Sequence, residues 1–169
     1  IEDILKMNVS YNSLFHKVGW LVEIKDKLIR IDKAFDVIRG SRRGWDKMFY
    51  PPRGTHGIEK RFLKKVLLNS RDVSKLNTIA TGEAFCCDMA VEDLQSQNLT
   101  GALNWIKHFE NKTNNTGIKL PIVLARRNMY WYELKNNEIV DFFTTMNPGE
   151  RLFFGRFDTP SFINQRLIG

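Results

Sequence analysis

The chain of 169 residues has only two cysteines, adjacent at Cys86 and Cys87. Two neighbours cannot build a disulfide framework, and alone they cannot make a zinc site. On a strand they would point to opposite faces, so they cannot act jointly, and burial is their ordinary role. Histidine is nearly as scarce: His16, His56 and His108 lie far apart, none four residues from another and none near a cysteine. Each therefore reads as a surface or satisfied core residue. There is no Gly-x-Gly-x-x-Gly, no Gly-Lys-Ser/Thr phosphate loop and no Gly-x-Ser-x-Gly elbow. No nuclease-type Asp with a following Glu-x-Lys is present either. The acid pair Glu92-Asp93 falls at a predicted helix start, where it complements the helix dipole. These absences predict no catalytic residue, no metal ligand and no cofactor-binding residue in this chain. No apolar run is long enough to cross a bilayer, so no membrane partner is expected.

What the chain has is bulk and positive charge. Its length suits a single domain, and 43% apolar residues exclude wholesale disorder. The chain starts at Ile1 without a signal-like stretch and ends at Gly169 in a strand-like segment. It reads as a fragment of a longer cytoplasmic protein. The net charge is +7, with 26 Lys and Arg against 19 Asp and Glu. Between Ile38 and Lys75 eleven basic residues face three acids, an excess of +8, so the rest of the chain carries −1. Such a run is either a solvated helix face with a charged loop or a polyanion footprint, since clustered Lys and Arg gain affinity by releasing phosphate counterions.

Periodicity predicts an α+β fold, with early and central helices packed on largely antiparallel strands. A helix is expected over Leu14–Arg30, making residues 1–30 a helical lead-in. Alternation predicts a strand over Phe35–Arg39, and Met48–Tyr50 reads as a short strand stopped by Pro51-Pro52. Ile58–Leu68 reads as a helix with Phe62, Leu63, Val66 and Leu67 inward and Lys60, Arg61, Lys64 and Lys65 outward. Glu83–Cys87 is a strand candidate, Val91–Gln97 and Leu99–Phe109 are helices, and Lys112–Gly117 is a polar loop. After these come Tyr130–Leu134, Ile139–Phe143, Leu152–Phe154 and Phe162-Ile163. They are short, aromatic or β-branched, and separated by Asn136-Asn137, Asn147-Pro148-Gly149 and Asp158-Thr159-Pro160, which is the pattern of a β-meander.

The most informative stretch is Arg39-Gly40-Ser41-Arg42-Arg43-Gly44-Trp45-Asp46-Lys47. Two glycines bracket three polar residues, giving a loop able to approach another backbone closely. Arginine grips phosphate bidentately or reads guanine, and tryptophan stacks on bases. The alternative is a tight turn in which the arginines pair with Asp46 and Trp45 caps the core.

The run from Phe35, FDVIRGSRRGWDKMFYPPRGTHGIE, resembles the opening of the target-recognition region in adenine-N6 DNA methyltransferases of the Eco57I/TaqI-like group. Ile58–Leu68 is similar to the element that follows in that family, and Ser70-Arg71-Asp72-Val73 to the segment closing it. Tyr130–Leu134 resembles the family's "WY-x-L" strand and Phe162-Ile163-Asn164-Gln165-Arg166-Leu167-Ile168 its closing "NQRhI" strand. The resemblance covers nearly the whole chain from about residue 30, and it rests on the order and spacing of motifs. It implies a single double-stranded DNA target-recognition domain, 1–169, possessed of no chemistry of its own and part of a site-specific adenine methyltransferase or restriction-modification protein. The S-adenosylmethionine pocket and the Asn-Pro-Pro-aromatic motif that holds a flipped adenine would then belong to a catalytic lobe upstream of Ile1, a partner within the same polypeptide. Tyr50-Pro51-Pro52-Arg53 lacks the required amide and is a loop. The DNA-binding residues implied are Arg39, Arg42, Arg43, Trp45, Lys47, Arg53, Lys64 and Arg71. A basic domain docking on an acidic protein partner is the alternative. An RNA-binding module is a third reading, against which stands the lack of its usual motifs.

Overall fold

A computed structural model describes residues 6, 20, 23–54, 56–134, 139–147 and 153–169. The chain divides into two compact units, 1–37 and 38–169. Within the first, the described residues form 3-10 turns at Lys25–Lys27 and Ile31–Lys33, and Arg30 pairs with Asp32 at 2.6 Å. Most of the expected helical lead-in over 1–30, and the first part of the expected helix over Leu14–Arg30, lies outside the described residues; the described end of that helix holds the 3-10 turn Lys25–Lys27.

The second unit is an α+β fold. Its helices are α1 (Asp46–Phe49), α2 (Val91–Ser96), α3 (Thr100–Glu110) and α4 (Leu120–Val123). Its strands are β1 (Leu63–Leu67), β2 (Asn77–Thr78), β3 (Gly82–Phe85), β4 (Ile139–Thr145), β5 (Phe154–Ile163) and β6 (Leu167–Ile168). The sheet runs β3-β1-β5-β4-β6, and β2 also pairs with β5. β1 and β2 lie parallel to β5, at Val66↔Phe162 and Asn77↔Arg156, whereas β3, β4 and β6 join by antiparallel pairing. The sheet is thus mixed, and its last three strands are not a simple meander: β6 passes β5 and pairs with β4.

Two cores lie on opposite faces of this sheet. Val66, Ala84, Phe85 and Phe162 pack with Leu94, Ala102, Ile106 and Phe109 of α2 and α3. Leu67, Val140, Phe143, Phe157, Ile163 and Leu167 form the other. This explains the first correction. Ile58–Leu68 is not a helix but a 3-10 turn at Lys60–Phe62 followed by β1. Val66 and Leu67 are buried in different cores, and a strand covered on both faces shows consecutive apolar residues that mimic helical spacing. The proposed basic stripe of Lys60, Arg61, Lys64 and Lys65 dissolves with the helix, because successive strand side chains point to opposite faces.

Four more segments depart from their sequence pattern. Met48–Tyr50 belongs to a helical turn, α1, in which Met48 and Phe49 are both buried; it stops before Pro51, as the residue preceding proline resists the α conformation. Phe35–Arg39 makes no ladder, only a bridge from Arg39 to Ile168. Tyr130–Leu134 is a turn: the Glu133 amide donates to the Tyr130 carbonyl at 3.0 Å, and the Tyr130 amide to Glu133 Oε2 at 3.0 Å. Tyr132 and Leu134 are buried, so the alternation is real, but no neighbouring strand meets it. Asp158-Thr159-Pro160 lies within β5 instead of separating strands, and it falls where the β4–β5 register slips between Val140 and Phe142. The Asn136-Asn137 turn, Pro148-Gly149 and Leu152 lie outside the described residues. α2, α3, β3 and β4 stand close to where the pattern placed them, and both cysteines are free and buried.

Candidate nucleic-acid interface

The loop from Arg39 to Trp45 is anchored along β6 and β5. The Ile38 and Gly169 amides donate to each other's carbonyls at 2.9 Å, and Ser41 bridges to Asn164. A Cβ on Gly40 would lie 2.2 Å from the Asn164 carbonyl oxygen, so only glycine lets the backbones approach this closely. The anchorage turns the next residues in alternate directions.

Arg42 is exposed. Arg43 turns inward and is 7% exposed. Its Nη2 donates to the carbonyls of Leu124, Tyr130 and Trp131 at 3.1, 3.2 and 3.0 Å. The guanidinium carbon sits 5.6 Å from the Phe49 ring centroid, where the aromatic face favours a cation. Nε and Nη1 are buried with no hydrogen-bond partner. Burial first, then the nearby Arg126 guanidinium, push the Arg43 pKa below its ordinary value, against a smaller opposing pull from Glu133. Arg43 is therefore not the DNA-facing residue its position in the motif implies, nor does it pair with Asp46. A buried guanidinium must find acceptors, and Arg43 finds them in a segment 81 to 88 residues away.

The other expected residues are dispersed. Trp45 packs half-buried against the core with its Nε1 unpartnered, which fits the core-capping alternative. Lys47 is exposed on α1, Arg53 on a turn after Pro52, and Arg71 on the 3-10 turn Ser70–Asp72. Arg39 is exposed at its bridge to Ile168. Lys64, half-buried on β1, lines a cleft of about 360 Å³ that opens where β1 and β5 part, floored by Leu63, Ile79, Ile139 and Phe162. Lys65 is neutralised by Glu83 across the β1–β3 pair at 3.3 Å.

The fold adds residues that motif reading missed. Arg126 Nη2 donates to the Arg42 carbonyl at 2.9 Å. Arg126 bridges to Met129 across a tight turn whose Asn128 has φ 59°, a left-handed position that asparagine tolerates. Arg127 occupies the tip of that turn, exposed, and Tyr130 follows it, 42% exposed and stacked on Tyr132 at 5.3 Å. Arg42, Arg126, Arg127 and Tyr130 thus come from two loops held together from beneath by Arg43. The adjacent Arg126-Arg127 pair before an aromatic was the available sequence signal, hidden by reading the following residues as a strand.

Among the described residues, one carboxylate joins a histidine, and it does so on the sheet. His56 Nε2 meets Glu83 Oε2 at 3.1 Å, while His56 Nδ1 accepts the Ile58 amide at 3.1 Å. Both ring nitrogens are engaged within the protein. His56, followed by Lys65, holds the Glu83 pKa below its ordinary value. Burial pushes the Cys87 thiol up to about 11, away from nucleophilic character. Among the described residues no group of three His, Cys, Asp or Glu is placed to hold a metal, and no helix is long and apolar enough to cross a membrane. No protein-family model, curated protein or solved structure gives a significant match to this chain.

Proposed function

We propose that this chain is a double-stranded DNA recognition module of a site-specific adenine-N6 DNA methyltransferase, within a restriction-modification system of the cytoplasm. On this reading the methyl-transfer chemistry, with its S-adenosylmethionine, belongs to a separate catalytic lobe. The observation that carries the DNA reading is the Arg126–Arg42 hydrogen bond, which gathers two loops of exposed arginine beside an exposed tyrosine. Arginine forks suit phosphate and guanine edges, and such contacts position a protein on a duplex before any base is read. The excess of +8 within Ile38–Lys75 supports the same reading.

The test is a salt titration of duplex binding by fluorescence anisotropy. Nonspecific affinity should lie at about 10⁻⁴–10⁻⁶ M at physiological salt and fall steeply as salt rises. Arg127→Ala should weaken binding to all sequences alike and lower the salt slope by about one if it contacts phosphate. Arg42→Ala should do the same, or cost roughly 1–3 kcal/mol at one cognate site if it reads a base. Undetectable duplex binding at low salt, or binding indifferent to salt, overturns the proposal. Binding to an acidic polypeptide but not to duplex would favour a basic protein-docking domain instead.

A further inference from the structure

The pairing of β5 is interrupted in the middle of the strand. Along β4, Val140 faces Ser161 but Phe142 faces Arg156, so β5 carries extra chain between those two positions. On its other edge β2 ends at Thr78↔Phe157, and β1 joins only from Val66↔Phe162. Asp158, Thr159 and Pro160 therefore have no ladder partner on either edge among the described residues. Pro160 has no amide hydrogen to offer a ladder, so the interruption is written into the sequence. Bulges re-aim side chains and are over-represented beside functional sites.

The cleft of about 360 Å³ lies at this interruption, and its volume falls at the small end of ligand pockets. Ile79 and Ile139 on its apolar wall are 71% and 46% exposed, apolar surface that gains by being covered. Two of its polar side chains already have partners. Lys65 pairs with Glu83 at 3.3 Å, and the Ser161 hydroxyl donates to the Thr159 carbonyl at 2.8 Å. Lys64 and Asp158 line the cleft as well, and neither makes an ion pair among the described residues. One comes from β1 and the other from the bulge of β5. The cleft thus offers one cation, one anion and an apolar wall.

We infer that this cleft binds a free apolar α-amino acid as its zwitterion. The ligand carboxylate meets the Lys64 ammonium, its α-ammonium meets the Asp158 carboxylate, and its side chain lies against Ile79 and Ile139. A simple carboxylate would answer Lys64 but leave Asp158 beside a like charge, and a simple amine would do the reverse. A molecule carrying both charges on an apolar body answers the whole lining. Small-molecule sites combine an apolar wall with a few placed polar groups in this way. The inference does not rest on the duplex reading, whose arginines belong to other loops.

The experiment is an amide NMR titration of the whole chain with L-leucine. Leucine should shift the amides of Lys64, Ile79 and Thr159 saturably, with a Kd of about 10⁻³ M or tighter. Three analogues divide the ligand: isocaproate lacks the amine, isoamylamine lacks the carboxylate, and L-alanine lacks the apolar bulk. Each should bind at least about fivefold more weakly than leucine. Lys64→Met should lower leucine to the affinity of isoamylamine, and Asp158→Asn should lower it to that of isocaproate. Neither side chain has a partner within the fold, so thermal melts of both variants should match the parent. The analogue series on the unmodified chain decides the matter even if a variant fails to fold. The absence of a saturable shift at these amides up to about 10⁻² M leucine overturns the proposal. So does equal binding by either singly charged analogue, parental leucine affinity in both variants, or a response centred elsewhere on the chain. Duplex affinity is read separately by anisotropy, so either proposal can fail while the other stands.

Discussion

Replacing Glu59 tests how the two halves of the second unit are joined. α3 begins without a side-chain cap of its own, because its N-cap residue is Leu99. The first amides of a helix have no internal partners. Glu59 supplies them from far away in sequence: Oε1 accepts the Gly101 amide at 2.7 Å and Oε2 the Ala102 amide at 2.8 Å. Ala102 is fully buried, so its amide cannot turn to water when the carboxylate is removed. Loss of an N-cap costs about 0.5–2 kcal/mol, and a carboxylate at a helix N-terminus adds about 0.3–1 kcal/mol. Together they make Glu59→Ala roughly 1–3 kcal/mol destabilising, or about 2–12 °C in melting temperature for a chain of this size. Glu59→Gln, which keeps one acceptor and no charge, should lose about half as much.

The fit at this junction is tight, since a Cβ on Gly101 would meet the Gly57 carbonyl oxygen at 2.1 Å. Gly101→Ala should therefore lift the helix end off residues 57–59 and break the same two hydrogen bonds. The two substitutions should consequently be non-additive, the double variant losing less than the sum of the single losses. The assay is a set of urea and thermal melts on all four proteins. A Glu59→Ala melt within one degree or so of the parent would falsify the cap, and strict additivity would show that the glycine acts elsewhere.

Further outcomes are expected on the same protein. Arg43→Lys keeps the charge but ends short of the position of Nη2, leaving carbonyls at Leu124, Tyr130 and Trp131 without their donor; it should cost about 1–3 kcal/mol, and a parental melt would refute the tether. Glu83, with its pKa held below the ordinary 4.5 by His56 and Lys65, stabilises the fold above that pH, and this contribution is lost as pH falls through the lower folded value. Glu83→Gln should therefore flatten the acid limb of a stability–pH curve, and an unchanged limb would refute the assignment. Cys86 and Cys87 are buried and the Cys87 thiol is pushed up to about 11, so neither should react with a thiol reagent at neutral pH until denaturant is added; one rapid equivalent in the native protein would count against this placement.

The features the sequence settled by itself were local ones. α2 and α3 follow from helical spacing of Leu94, Ile106 and Phe109 inside short windows, and the need for a close backbone approach at Gly40 was legible because only glycine allows it. The α+β class followed from the same patterns, and so did the burial of the two cysteines. What the tertiary structure alone decided was every matter that depends on a distant neighbour. Val66 and Leu67 are adjacent apolar residues in either a helix or a doubly covered strand, and only the second core beneath β5 selects the strand. Alternation at Tyr130–Leu134 shows which side chains are buried but cannot supply the missing partner strand. The consecutive arginines Arg42 and Arg43 are chemically identical, yet one is solvent-facing and the other spent on three carbonyls, because those carbonyls arrive from beyond residue 123. The charge of a segment is written in its composition; which of its charges face outward is set by where the rest of the chain places acceptors.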